Sequence, residues 1–135
     1  MTMKQWLLSS FVASTCLFSI AAIAGPIEKY TAVTADRLKN PEPGNWMLYR
    51  RTYDGQGYSP LDQINTSNVK DLVPVWTFST GVIEGHEAPP IVNNGVMFVA
   101  TPQGQVIALN AKTGDEYWRY KRQLPDDLFQ LHPTN

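Results

Sequence analysis

At 135 residues the chain has the length of one small domain. Its 11 Lys and Arg against 12 Asp and Glu leave a formal charge of -1, which offers no basic field to a nucleic-acid partner. Ten prolines, nine glycines and four tryptophans point to turn-rich β structure rather than to long helices.

Residues 1–24 read as a segment outside the fold. Lys4 precedes an apolar and small-residue run that ends in Ala22-Ile23-Ala24, an A-x-A site before Gly25. A positive start, an apolar middle and small residues at the cut describe a secretory signal peptide. An uncleaved anchor is the alternative, since the run is about long enough to span a bilayer; the A-x-A site favours cleavage. Cleavage removes Cys16, the only cysteine, so no disulfide is available to the mature chain. It also removes Lys4, which moves the formal charge from -1 to -2. Export to the periplasm with no stable membrane span is the expectation.

Residues 25–72 form an extension and loop region. Thr34 is placed to cap a short helix starting at Ala35, and Asn40-Pro41-Glu42-Pro43-Gly44 ends it. Trp46-Met47-Leu48-Tyr49 is short, apolar and expected to pack. Arg50 to Ser59 is polar and broken by glycine, hence a loop. Leu61, Ile64, Val69 and Leu72 are spaced for one or two helical turns.

Residues 73–122 carry β patterns. Val73, Val75 and Phe78, with Trp76 and Thr77 between them, predict a strand. Ile91-Val92, then Asn93-Asn94-Gly95, then Val96 to Ala100 is a hairpin signal, because Asn-Gly supplies the positive φ angles of a primed turn. Pro102-Gln103-Gly104 turns into a strand over Gln105–Asn110, and Lys112 to Asp115 turns into another over Glu116–Lys121. About four short antiparallel strands joined by tight turns describe an all-β unit of one propeller blade. An immunoglobulin-like sandwich needs about seven strands. A lone blade cannot cover both its faces, so the isolated chain is expected to be marginal in stability and prone to associate. Residues 123–135 trail off as a connection.

The stretch from Asn45 to Val69, followed by Leu72 to Gly81, closely resembles the opening of the PQQ-dependent (quinoprotein) methanol and ethanol dehydrogenases. Gly85 to Tyr120 resembles the first blade of their propeller, so the resemblance covers essentially all of the mature chain. It implies an eight-bladed β-propeller of which this sequence is an N-terminal part. In the family, PQQ sits on a calcium or lanthanide ion, a primary alcohol is oxidised to an aldehyde, and electrons pass to cytochrome c or quinone.

Two motifs carry the resemblance. In Gly85-His86-Glu87-Ala88-Pro89-Pro90 the glutamate matches the family residue that contacts PQQ, so Glu87 is the candidate cofactor-binding residue. In Ala108 to Trp118 the alanine, Gly114 and Trp118 match a tryptophan-docking repeat that locks neighbouring blades, with Asn110 where the family usually has aspartate. A pair of adjacent cysteines common in the family would fall near Gln130-Leu131 and is missing. The family's catalytic base and metal ligands belong to later parts of the longer chain. The resemblance therefore implies no catalytic and no metal-binding residue here, and no cofactor held by this segment alone. His86 and His132 lack metal-ligand spacing, and Asp126-Asp127 read as a solvated loop. The alternative function is a small exported interaction protein that uses one blade for binding without catalysis.

Overall fold

A computed structural model of the chain describes Gly25, Ile27 and residues 30–125. The expectations for the signal segment, Cys16, Asp126-Asp127, Gln130-Leu131 and His132 lie outside the described residues.

A four-stranded antiparallel sheet in the order β1-β2-β3-β4 is the centre of the molecule: β1 Ile91–Asn93, β2 Val96–Thr101, β3 Gln105–Asn110 and β4 Glu116–Lys121. Each connection is tight for a local reason. Asn94 and Gly95 take φ of 49° and 77°, the mirror-image turn that suits the right-handed twist of a hairpin. Between β2 and β3, Pro102–Gly104 makes one 3-10 turn with Gln103 at φ 63°. Between β3 and β4, Gly114 at φ 80° donates its N–H to the Asn110 carbonyl at 2.8 Å. The Asn110 side chain accepts from the Lys112 N–H at 2.9 Å. That turn needs only a side-chain oxygen at 110, so Asn serves as Asp would.

Register places Phe98, Ala108 and Trp118 side by side on one face, and Val99, Ile107 and Arg119 on the other. Ile107, Ala108 and Leu109 are all buried, so β3 is covered on both faces at its centre. Met47, Val96 and Pro102 are also buried. Phe98 and Trp118 meet with ring centroids 6.0 Å apart, within the range of tilted aromatic pairs.

Ahead of the sheet, the short helix and the burial of Met47 are as expected, and two expected elements differ. Thr34 caps α1, Ala35–Lys39, by accepting the Arg37 N–H at 3.3 Å. Trp46 pairs with Val92 through two backbone hydrogen bonds of 2.9 and 2.8 Å, which extends the β1 edge and brings Met47 into the core. The expected helical turns over 60–72 reduce to one 3-10 turn, Val69–Asp71. The strand expected at Val73–Phe78 does not form. The segment is without regular structure, and Pro74 has no N–H to give a ladder.

Instead, this segment becomes a strap held by side chains. Trp76 donates its ring N–H to the Ala111 carbonyl at 3.3 Å. The guanidinium of Arg119 lies 5.9 Å from the Phe78 ring centroid and donates to the Thr80 carbonyl at 2.8 Å. The anchors fall in chain order along the sheet, from the β3–β4 turn towards the β2–β3 turn. They lie on the face to which Arg119 and its neighbour Ile107 point.

Candidate functional site

The strap leads into Thr80–Pro90, the loop that holds Glu87. Two sets of contacts fix it. Internally, His86 Nδ1 lies 2.8 Å from the Glu84 carbonyl, which only accepts, so Nδ1 carries the proton. Nε2 lies within hydrogen-bond distance of the Thr80 hydroxyl, at 3.1 Å. The Thr80 oxygen also accepts the Val82 N–H at 3.3 Å. His86 is thus a brace across the loop.

Externally, the loop is tied to the β2–β3 turn. Gln103 Nε2 donates to Glu84 Oε1 at 2.8 Å. The other oxygen, Oε2, is buried and has no hydrogen-bond partner among the described residues. The Glu84 carboxyl is held below its ordinary value, first by its own backbone N–H and then by the Gln103 amide. The turn that presents Gln103 is itself pinned, because the Arg122 N–H donates to the Gly104 carbonyl at 2.9 Å.

Glu87 follows three residues after Glu84 and is exposed. Ala88-Pro89-Pro90 then runs directly into β1. The carboxylate therefore stands on a short segment fixed at Glu84 on one side and at the sheet on the other. Such an arrangement can accept a hydrogen bond from a polar ligand at a defined place. It cannot by itself abstract a proton and hold a metal and a quinone together, which is what oxidation of an alcohol on such a cofactor needs. Among the described residues no group of three or more His, Cys, Asp or Glu is placed to hold a metal ion, and no helix is long and apolar enough to cross a membrane.

The Gly114 position of the docking repeat is filled by a second tryptophan. The ring seated on Gly114 is that of Trp76: a Cβ built at Gly114 would lie 2.7 Å from it. Trp118, which carries the motif in sequence, is 42% exposed and stands beside Ala108. The signal for Trp76 was present in the sequence as a repeat, Trp-Thr-Phe at 76–78 and Trp-Arg-Tyr at 118–120. The Glu84–Gln103 tie had no sequence signal, since both are ordinary polar loop residues.

Comparison with known proteins places this geometry. Residues 46–134 match the family model of the PQQ glucose/ethanol/alcohol dehydrogenase β-propeller domain. The chain is 35% identical over 125 residues to the dehydrogenase subunit of a quinone-linked alcohol dehydrogenase from Gluconobacter oxydans, covering 93% of this chain and 16% of the relative. It is 41% identical over 96 residues to methanol dehydrogenase [cytochrome c] subunit 1 of Methylobacterium organophilum, covering 70% of this chain and 15% of that protein. Among solved structures, the quinohemoprotein alcohol dehydrogenase ADHIIG from Pseudomonas putida HK5 superposes with a TM-score of 0.63 at 44% identity, over 66% of this chain and 13% of that one. The chain thus spans only a small part of these relatives. With its four-stranded antiparallel sheet, its docked tryptophan and a match over most of its length, the chain belongs to the β-propeller family of PQQ-dependent alcohol dehydrogenases.

Proposed function

We propose that this chain is the N-terminal part of an exported, periplasmic quinoprotein that oxidises primary alcohols to aldehydes. In this reading residues 1–24 direct export, 25–72 are the extension, 73–122 belong to the first blade, and 123–135 connect onward. The observation that carries the proposal is the exposed Glu87 carboxylate on a loop fixed at both ends, within a motif that matches the PQQ contact of the family.

The residues fit such a ligand at one edge. Glu87 is exposed and accepts no hydrogen bond among the described residues, which leaves it to a donor on the cofactor, while His86 and Gln103 hold the loop. PQQ, when bound, supplies the two-electron chemistry. The part of this segment is to fix one side of the cofactor through Glu87 and to seat blades through tryptophans. Trp76 occupies the Gly114 seat, and the half-exposed Trp118 serves the same seat on a following blade. The calcium or lanthanide ion and the acceptor, cytochrome c or quinone, belong to other parts of the complete enzyme.

The test is immunocapture from a periplasmic extract with an antibody to residues 46–80. The expected product is several times heavier than the 15.1 kDa chain, releases PQQ on denaturation and reduces a dye when given ethanol. A product of about the chain's own mass that holds no PQQ would overturn the reading in favour of a small single-blade interaction protein.

A further inference from the structure

Glu84 has no assigned task, yet it makes the one side-chain tie between the Glu87 loop and the β2–β3 turn among the described residues. We propose that Glu84 and Gln103 are positioning residues for the cofactor side of the molecule, and that their hydrogen bond sets where the Glu87 carboxylate stands. This inference rests on the reading of Glu87 as the PQQ contact.

Three observations support it. First, the tie joins otherwise separate elements: Glu84 Oε1 accepts from Gln103 Nε2 at 2.8 Å across a gap of 19 residues. Second, the turn that offers Gln103 is stiff and conformationally demanding. Gln103 is a non-glycine residue at φ 63°, a left-handed geometry that persists only where its surroundings hold it. Gly104 beside it is clamped, because a Cβ there would meet the Arg122 side chain at 3.2 Å and the Arg122 N–H already bonds its carbonyl. Third, Glu84 Oε2 is buried with no hydrogen-bond partner among the described residues, a cost that calls for an explanation beyond packing.

The geometry gives the tie its leverage. Thr80 is anchored to Arg119 and Ile91 begins the sheet. Between these points Val82, Ile83 and Gly85 make no hydrogen bond outside the loop among the described residues, and Ile83 is fully exposed. Without the Gln103 contact, the side-chain hydrogen bonds that remain to residues 81–90 among the described residues are internal ones, through His86 and Thr80. Glu87 would then sample a range of positions, and the entropy of ordering it would be charged to ligand binding.

The experiment uses three variants and two readouts. Glu84→Ala removes the tie. Gln103→Asn keeps a side chain that tolerates positive φ but shortens its reach. Glu84→Gln keeps an acceptor oxygen and is the conservative rescue. The first readout is the backbone ¹⁵N order parameter of residues 82–87 in the 135-residue chain carrying Val75→Lys and Ile83→Lys, two exposed positions whose charges keep the chain monomeric at the concentrations the measurement needs. The expectation is a fall from about 0.85 to below about 0.6 in Glu84→Ala and Gln103→Asn, with β3 unchanged and Glu84→Gln rigid. Unchanged order parameters in Glu84→Ala would overturn the proposal.

The second readout is PQQ itself, retained through gel filtration by a hybrid of the Pseudomonas putida enzyme in which residues 46–125 of this chain replace the matching segment. Glu84→Ala is expected to weaken PQQ retention about tenfold, the lower end of what loss of an outer supporting contact does, and Glu84→Gln to restore it. If Glu87→Gln releases PQQ while Glu84→Ala holds it as tightly as the parent, the positioning role fails and the cofactor reading stands. If Glu87→Gln holds PQQ fully, the cofactor reading fails, and the positioning role towards PQQ fails with it.

Discussion

At the scale of single residues, two contacts decide how the extension and the strap meet the sheet. Arg37 is the first. Its guanidinium pairs with Glu42 at 2.7 Å, reaches the buried Asn93 side chain at 2.9 Å and caps the Ala32 carbonyl at 2.9 Å. Glu42 also accepts from Asn45 at 2.7 Å, so one carboxylate clasps α1 to the β1–β2 turn. The Arg37 and Asn45 donors hold the Glu42 carboxyl down from 4.5 to about 2. A depressed carboxylate favours the folded form above its ordinary value and loses that contribution as pH falls towards the folded value. The clasp should therefore be intact above about pH 4.5 and open progressively down to about pH 2. An NMR titration of the Glu42 side chain checks this, and a midpoint near 4.5 would contradict the clasp. Gly114 is the second contact. An alanine there meets the Trp76 ring at 2.7 Å and keeps φ at 80°, so Gly114→Ala should destabilise by about 1–3 kcal/mol. A shift of tryptophan fluorescence should accompany the loss, measured alongside urea unfolding.

At the scale of elements, what was legible in the sequence was what local chemistry alone determines. β3 and β4 occupy the ranges their flanking turns predict, and the hairpin turns at Asn94-Gly95 because those residues accept positive φ. The strap was not legible as such. Val73 to Phe78 has strand composition, yet whether it ladders depends on an edge that local sequence cannot specify. Here its alternate side chains anchor to the Ala111–Gly114 turn and to Arg119, so Trp76 and Phe78 matter and a ladder does not. The candidate site divides the same way. Glu87 was visible through its motif, while the Glu84–Gln103 tie depends on how the β2–β3 turn meets the loop. The hairpin gives a test at this scale. Gly95→Ala, at φ 77°, should cost about 1–2 kcal/mol. It should also loosen α1, since the Arg37 clasp closes on Asn93 and Asn94. Faster proteolysis at residues 30–40 than in the parent would show that coupling, and unchanged cleavage there would sever it.

At the scale of the whole molecule, the balance between what is buried and what is exposed sets the behaviour of the chain. Met47, Val96, Ile107, Ala108 and Leu109, with Pro102 at the β2–β3 turn, are the buried apolar residues among those described, a small core for a domain of this length. Meanwhile Val73 and Val75 on the strap are 75% and 85% exposed, and Ile83 is 100% exposed. In a β-propeller, neighbouring blades and the chain that joins them cover such surfaces. Separated from them, the strap presents an extended, apolar, unladdered segment beside an open β4 edge, the combination that invites pairing between chains. The isolated 135-residue chain should therefore bind a hydrophobic dye and sediment as species that grow with concentration. Val75→Lys together with Ile83→Lys changes two side chains that contribute little to the fold, and should return the chain to a monomer without loss of β structure in circular dichroism. Sedimentation velocity over a tenfold range of concentration distinguishes the outcomes. A parent chain that stays monomeric throughout would mean that the exposed strap surface is tolerated by water as it stands, and that the segment needs no neighbouring blade to remain in solution.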